Sequence, residues 1–149
     1  MPDLPSLILL LHAFATLFMT GLIWFVQIVH YPLFALVGRD VYPRYQETHM
    51  QRTGWVVGPA MLTEAVTAAA LLTLDLQSPG RILAIAGIVL VALIWISTAA
   101  LQIPRHHALR RAFDERAARS LVTTNWIRTA LWTARALIAL ALLQLGAAS

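Results

Sequence analysis

Residues 12–31 read HAFATLFMTGLIWFVQIVHY, a long apolar stretch that carries a single polar stripe. In an α-helix each residue turns by about 100°, so steps of four, four, seven and three residues return to nearly the same direction. The polar residues at this spacing are His12, Thr16, Thr20, Gln27 and His30. Within a membrane such a stripe must face protein, water or a ligand, so the stretch predicts an inner wall of a helical bundle.

The whole chain has the composition of a membrane protein. It contains 149 residues, of which 59% are hydrophobic and 12% charged, whereas soluble domains have about 25% charged residues. Four apolar runs are each about 20 residues or longer, which matches the hydrocarbon thickness of a bilayer. We therefore predict an all-α integral membrane four-helix bundle, a single transmembrane domain over residues 1–149. Its helices are expected at about residues 7–30, 51–74, 82–103 and 121–145.

The arginine positions predict how the bundle is oriented. The chain has no lysine, and eight of its eleven arginines lie in or beside the first and third connections. By the positive-inside rule these connections are cytoplasmic and both termini face outward, as expected for a bacterial inner membrane protein. Residues 33–49 and 105–119 are predicted to form short amphipathic segments on the cytoplasmic side. The positive charge is then expected to contact lipid headgroups and not nucleic acid.

The predicted second, third and fourth helices each carry a polar face of their own. These faces are made of His49, Thr53 and Glu64, of Thr98, Gln102 and His106, and of Asn125, Arg128 and Arg135. Antiparallel neighbours bring equivalent helix ends to the same side of a bundle. We therefore expect the four polar faces to converge on a common pocket that opens toward the cytoplasm.

Two opposite charges are predicted near the middle of the membrane. A charged side chain at this depth costs about 2.5–3.5 kcal/mol on insertion scales, so Glu64 and Arg135 are expected to pair. The pair either specifies the bundle or belongs to a catalytic set with Arg128. In the catalytic interpretation Glu64 accepts a proton, and Arg135 tunes the carboxylate.

Three histidines are expected near the cytoplasmic mouth of the pocket, namely His30, His49 and His106. Imidazole suits iron, copper and zinc, so one hypothesis is a three-histidine site for a redox metal or for zinc. The alternative is that these histidines bond to lipid phosphates or to helix ends. Polar groups expected to bind the cofactor or substrate beside them are Gln27, Gln102 and Asn125.

Several stretches resemble the anthrone-oxygenase-like family of small four-helix membrane proteins. They are Trp24-Phe25-Val26-Gln27, His30-Tyr31-Pro32, Pro59 to Glu64, and Asn125-Trp126-Ile127-Arg128 through Arg135. The likeness covers most of the chain and implies oxidation of a lipophilic aromatic or quinone-like substrate. His12 is also similar in position to the early histidine of the haem-binding membrane protoporphyrinogen oxidases, which implies haem as another cofactor. Without haem, His12 is expected to hydrogen-bond a neighbouring helix.

The leading hypothesis is an intramembrane oxidoreductase or oxygenase with a pocket lined by His, Gln and Arg. Its partners would be the lipid bilayer and a lipophilic small molecule. One alternative is a small membrane transporter or accessory subunit whose polar core is structural, and a homo-oligomer would suit that function. A second alternative is a haem-binding membrane protein.

Overall fold

The computed structural model describes residues 3–147, which form four long helices. They are α1 (Leu4–Leu36), α2 (Tyr42–Leu71), α3 (Gly80–Arg111) and α4 (Glu115–Ala147). Each helix is long and apolar enough to cross a membrane, judged by length and composition. The prediction of an all-helical chain with four long apolar helices is therefore confirmed.

Each helix packs against two others in a four-sided bundle. Helix α1 lies against α2 and α4, and α3 lies against the same two helices. Residues 37–41 and 112–114 connect the helices at one end, which we call the arginine-rich end because most of the arginines lie there. Residues 72–79 connect α2 to α3 at the opposite end.

Two apolar clusters form the core, one toward each end of the bundle. The cluster toward the arginine-rich end includes Met19, Ile23, Phe34, Met61, Ile94, Leu121 and Trp132. The cluster at the opposite end consists of Leu9, Leu71, Ala84 and Leu142 with their partly buried neighbours. Buried polar residues lie between the two clusters on three of the helices: His12 and Thr16 on α1, Glu64 and Thr67 on α2, and Arg135 on α4.

Helices α1 and α3 continue past Pro32 and Pro104, which lie just beyond the helix ends predicted near residues 30 and 103. A π-helical turn precedes each proline, at Val26–His30 before Pro32 and at Thr98–Gln102 before Pro104. Proline lacks an N–H, and its ring clashes with the carbonyl four residues earlier, which the wider π turn accommodates. The helices therefore extend to Leu36 and Arg111, and the predicted ends near residues 30 and 103 are wrong.

The predicted amphipathic segments are not separate elements. Most of their residues extend the four long helices, leaving only residues 37–41 and 112–114 as connections at this end. Pro43 lies in the first turn of α2, where a missing N–H costs nothing. Asp114 precedes α4 and accepts the Ala117 N–H at 2.6 Å, which starts that helix earlier than predicted.

Candidate functional site

A cavity of about 620 Å³ lies between the helices in the half of the bundle toward the arginine-rich end. Its polar wall takes residues from all four helices: His30, Tyr31, His49, Thr53, Gln102, His106 and Arg128. Its edge includes Phe25 and Val56, which are 54% and 50% exposed on the apolar side of the bundle. The cavity is therefore open laterally, on the surface that would face lipid.

Two histidines join α1 to α2 at the cavity wall. His30 Nε2 lies 2.9 Å from His49 Nδ1, and Thr53 Oγ1 lies 3.1 Å from the same His49 nitrogen. His30 is placed by the π turn of α1, whereas His49 and Thr53 are four residues apart on one face of α2. One proton shared between the facing nitrogens makes this a hydrogen-bonded acid–base pair.

A second hydrogen-bonded chain runs from α2 through α3 to α1. Gln46 Nε2 lies 2.7 Å from His106 Nδ1, and His106 Nε2 lies 3.0 Å from the Tyr31 hydroxyl. With the Gln46 amide donating, His106 Nδ1 is the acceptor, so a neutral His106 carries its proton on Nε2. His106 then donates to the Tyr31 oxygen, which leaves the Tyr31 proton free to donate elsewhere.

Arg128 of α4 is buried beside this chain and is 6% exposed. It donates to Asn125 Oδ1 at 3.2 Å, and its guanidinium carbon lies 5.1 Å from the Trp132 ring centroid. It also interacts with the Tyr31 hydroxyl. Within the described part of the chain, its Nε has no hydrogen-bond partner.

The three histidines do meet in the cavity wall, but their nitrogens contact one another and other side chains. The His49 ring centroid lies 4.7 Å from that of His30 and 5.5 Å from that of His106. A metal site needs one nitrogen from each ring, at about 2.0–2.1 Å from a common point. Among residues 3–147, no group of three or more His, Asp or Glu side chains is arranged to hold a metal ion. This arrangement therefore does not fit the predicted metal centre.

Of the three polar residues predicted to bind cofactor or substrate, only Gln102 lines the cavity. Its Nε2 donates to Thr124 Oγ1 at 3.2 Å, and its buried Oε1 has no partner in the described chain. Gln27 and Asn125 instead bond to each other, with the Asn125 amide donating to Gln27 Oε1 at 2.9 Å. Gln27 also donates to the Val122 carbonyl, so this pair fastens α1 to α4.

The expected contact between Glu64 and Arg135 is present, outside the lining of the cavity. Arg135 Nε donates to Glu64 Oε1 at 2.8 Å, and both side chains are 1% exposed. Trp132 Nε1 donates to Glu64 Oε2 at 3.1 Å. Arg135 also donates to the Gly87 carbonyl and, at 3.4 Å, to Thr16 Oγ1. All four helices thus contribute to this closed network.

His12 lies nearer the opposite end and does not line the cavity. Its Nδ1 lies 2.9 Å from Thr67 Oγ1 of α2, and the histidine is 2% exposed. The interhelical contact expected for His12 is therefore present.

Sequence reasoning missed Tyr31 and Gln46 as members of the site. Gln46 was placed before the start of the second helix, although Tyr42, Gln46, His49 and Thr53 share one helical face when that helix begins at residue 42. This shared face was present in the sequence, but it was not recognised because the second helix was expected to begin near residue 51. Tyr31 was noted in the stretch His30-Tyr31-Pro32, with no role in the site.

The fold and the site define a class, a four-helix bundle of membrane-spanning length with a laterally open cavity and a polar inner wall. Comparison with known proteins goes no further: no protein family, no curated protein and no solved structure gives a significant match. The function is therefore argued from the cavity and from the residues around it.

Proposed function

We propose that this protein is an intramembrane oxidoreductase that oxidises a lipophilic aromatic or quinone-like substrate in the 620 Å³ cavity. The observation that carries this proposal is the wall of the cavity, where the His30–His49 pair and the Tyr31–His106 pair lie beside apolar side chains. In this proposal the arginine-rich end faces the cytoplasm of a bacterial cell, as the positive-inside rule indicates.

The size and the opening of the cavity support a substrate that dissolves in the membrane. Ligand pockets usually have volumes of about 300–1,000 Å³, a range that includes this one. The edge of the cavity at Phe25, Val56 and Ile103 is apolar and exposed, so an aromatic molecule could enter from lipid without crossing water. Its polar end would meet Gln102, His106 and Arg128.

The chemistry proposed is the removal of a proton from an activated carbon, followed by oxidation with dioxygen. A neutral histidine of the His30–His49 pair accepts the proton from a methylene group flanked by aromatic rings, as a general base. One oxygen atom of dioxygen becomes the new carbonyl oxygen, and the other leaves as water with the two methylene hydrogens. The carbon loses four electrons and dioxygen gains four, so no other oxidant is needed and no step uses a metal.

This proposal can be tested with anthrone, a three-ring aromatic ketone with such a methylene group, supplied to the purified protein in detergent. Oxygen consumption and the absorbance of the quinone product measure the rate above the protein-free reaction. His30→Ala and His49→Ala should each lower that rate by about 10²–10⁴-fold, the usual contribution of a general base. His107→Ala is the matched control, because His107 is exposed and lies outside the cavity lining. Full rates in both cavity variants would remove the proposal.

Metal and haem content separate the metal-free mechanism from its alternatives. If the wild-type protein binds stoichiometric iron, copper or zinc and His30→Ala and His49→Ala lose it, the hypothesis of a three-histidine metal site would be supported. The rings would then be rearranged around the ion. A Soret band that disappears on His12 substitution would favour haem. Neither a bound metal nor a Soret band is expected if the histidines act as acid and base.

The rival proposal is a non-enzymatic transporter or accessory subunit, expected to act as a homo-oligomer, whose polar core is structural. The observation that favours it is the closed bonding of Gln27 with Asn125 and of Glu64 with Arg135, which requires no ligand. A folded wild-type protein that oxidises no aromatic probe would favour this rival.

A further inference from the structure

The cavity wall contains a buried positive charge that no carboxylate in the described part of the chain neutralises. Among residues 3–147, the two ion pairs are Arg119 with Glu115 and Arg135 with Glu64, and neither includes Arg128. Arg128 is nevertheless 6% exposed, and its Nε has no hydrogen-bond partner in the described chain. A buried guanidinium without a counter-charge is costly, so an anion that binds beside it would be stabilised by it.

This guanidinium, which has no carboxylate partner among the described residues, lies at the cavity, whose lining likewise contains no described Asp or Glu. Apolar side chains such as Met19, Ile23 and Val26 form the wall around it. Arg128 is thirteen residues into α4, about 20 Å along the helix axis from its first residue. Because the wall around Arg128 is apolar, we expect an anion that binds there to be attached to an apolar body.

Tyr31 adds a second donor at the same place. Its oxygen interacts with Arg128 and lies 3.0 Å from His106 Nε2. In the tautomer set by the Gln46 amide, the Tyr31 proton is free to be donated to a ligand. A guanidinium and a hydroxyl together form a strong, charge-assisted site for an oxyanion.

We infer that the cavity binds an amphipathic anion, an ionised oxygen on an apolar body, with that oxygen held by Arg128 and the Tyr31 hydroxyl. This inference rests on the proposed function, in which the cavity is the substrate site. It limits the expected substrates to carboxylates, phenolates and enolates. The phosphate of an anionic lipid offers the same chemistry from a second source.

The test uses a fluorescent aromatic anion that cannot be oxidised in the proposed way, 9-anthracenecarboxylate, and its neutral partner 9-anthracenemethanol. Binding is measured to the full chain in phosphatidylcholine nanodiscs. The carboxylate should bind about tenfold more tightly than the alcohol, the effect of one charge-assisted contact. Arg128→Gln should abolish this preference and leave binding of the alcohol unchanged, whereas Arg128→Lys should retain part of it.

Arg52→Gln is the matched control, because Arg52 is an exposed arginine at the edge of the same cavity and its loss should preserve the preference. Nanodiscs that also contain phosphatidylglycerol distinguish the two sources of the anion. If phosphatidylglycerol competes with 9-anthracenecarboxylate, and this competition is lost in Arg128→Gln, the site binds a lipid phosphate. Equal binding of acid and alcohol to wild type, or an unchanged preference in folded Arg128→Gln, would overturn the inference. The probe reports binding alone, so a failure to oxidise anthrone would remove the proposed function and leave this result standing.

Discussion

Helix α4 carries two buried arginines whose surroundings differ. Arg135 bonds to Glu64, to the Gly87 carbonyl and to Thr16, so its charge is neutralised within the bundle. Arg128 lies seven residues earlier, about 10.5 Å along the same helix face, and has no carboxylate partner among the described residues. Both are nearly inaccessible to solvent.

The difference separates two ways in which a bundle can use a buried charge. The Arg135 network is closed, since every helix contributes a partner and Arg135 does not line the 620 Å³ cavity. The Arg128 site is open, because it faces a cavity and retains an unused donor. A closed network is expected to stabilise the fold. An open site is expected to stabilise the complex of the protein with a bound ligand.

The largest expected effect is at the closed network. Glu64→Gln leaves the Arg135 charge buried without its counter-charge, and breaking a buried pair in this way costs about 3–5 kcal/mol. The free energy of unfolding in detergent should fall by that amount. The double variant Glu64→Leu with Arg135→Met removes both charges and should recover most of the loss. A single variant as stable as wild type would show that the pair does not hold the helices together.

A smaller effect is expected at the open site. Tyr31→Phe keeps the ring but removes the hydroxyl that meets His106 and Arg128. The free energy of unfolding should fall by about 1 kcal/mol, the net value of a typical hydrogen bond. The preference of the cavity for 9-anthracenecarboxylate over the alcohol should weaken at the same time. A loss of stability with no change in that preference would exclude Tyr31 from the ligand site.

The smallest effect is expected at an interhelical hydrogen bond that involves neither Arg128 nor Arg135. Trp24 Nε1 donates to Thr133 Oγ1 at 3.0 Å on the outer surface of α1 and α4. Trp24→Phe should lower the free energy of unfolding by about 0.6 kcal/mol, the average for interhelical hydrogen bonds in membrane proteins. Anthracene binding should be unchanged. This variant sets the baseline against which both arginine sites are measured.

The sequence predicted the closed network better than the open site, for a physical reason. Glu64 is the only acid within the predicted spans, so its pairing with Arg135 followed from the cost of burying charge. The convergence of His30, His49 and His106 also followed, from helical spacing and antiparallel packing. These inferences depend on residue type and helical period, both of which can be read from the chain.

The missed features depend on local backbone geometry. The first and third helices were predicted to end near residues 30 and 103, whereas π turns carry α1 and α3 through Pro32 and Pro104. The second helix was predicted to begin near residue 51, so Gln46 fell outside it and its contact with His106 was not expected. The hydrogen bonds of the three histidines could not be predicted either. Helical spacing determines which rings meet, but it does not determine which nitrogens face each other.

The most direct test compares the unfolding of Arg128→Met and Arg135→Met in the same detergent without added ligand. Methionine keeps much of the apolar length of arginine and removes its charge. Arg135→Met should lower the free energy of unfolding by about 3–5 kcal/mol, because it leaves the Glu64 charge buried and unpaired. Arg128→Met should lower it by less than about 1 kcal/mol, or raise it, because no counter-charge is left behind. Equal losses in the two variants would contradict the distinction between a closed and an open arginine site.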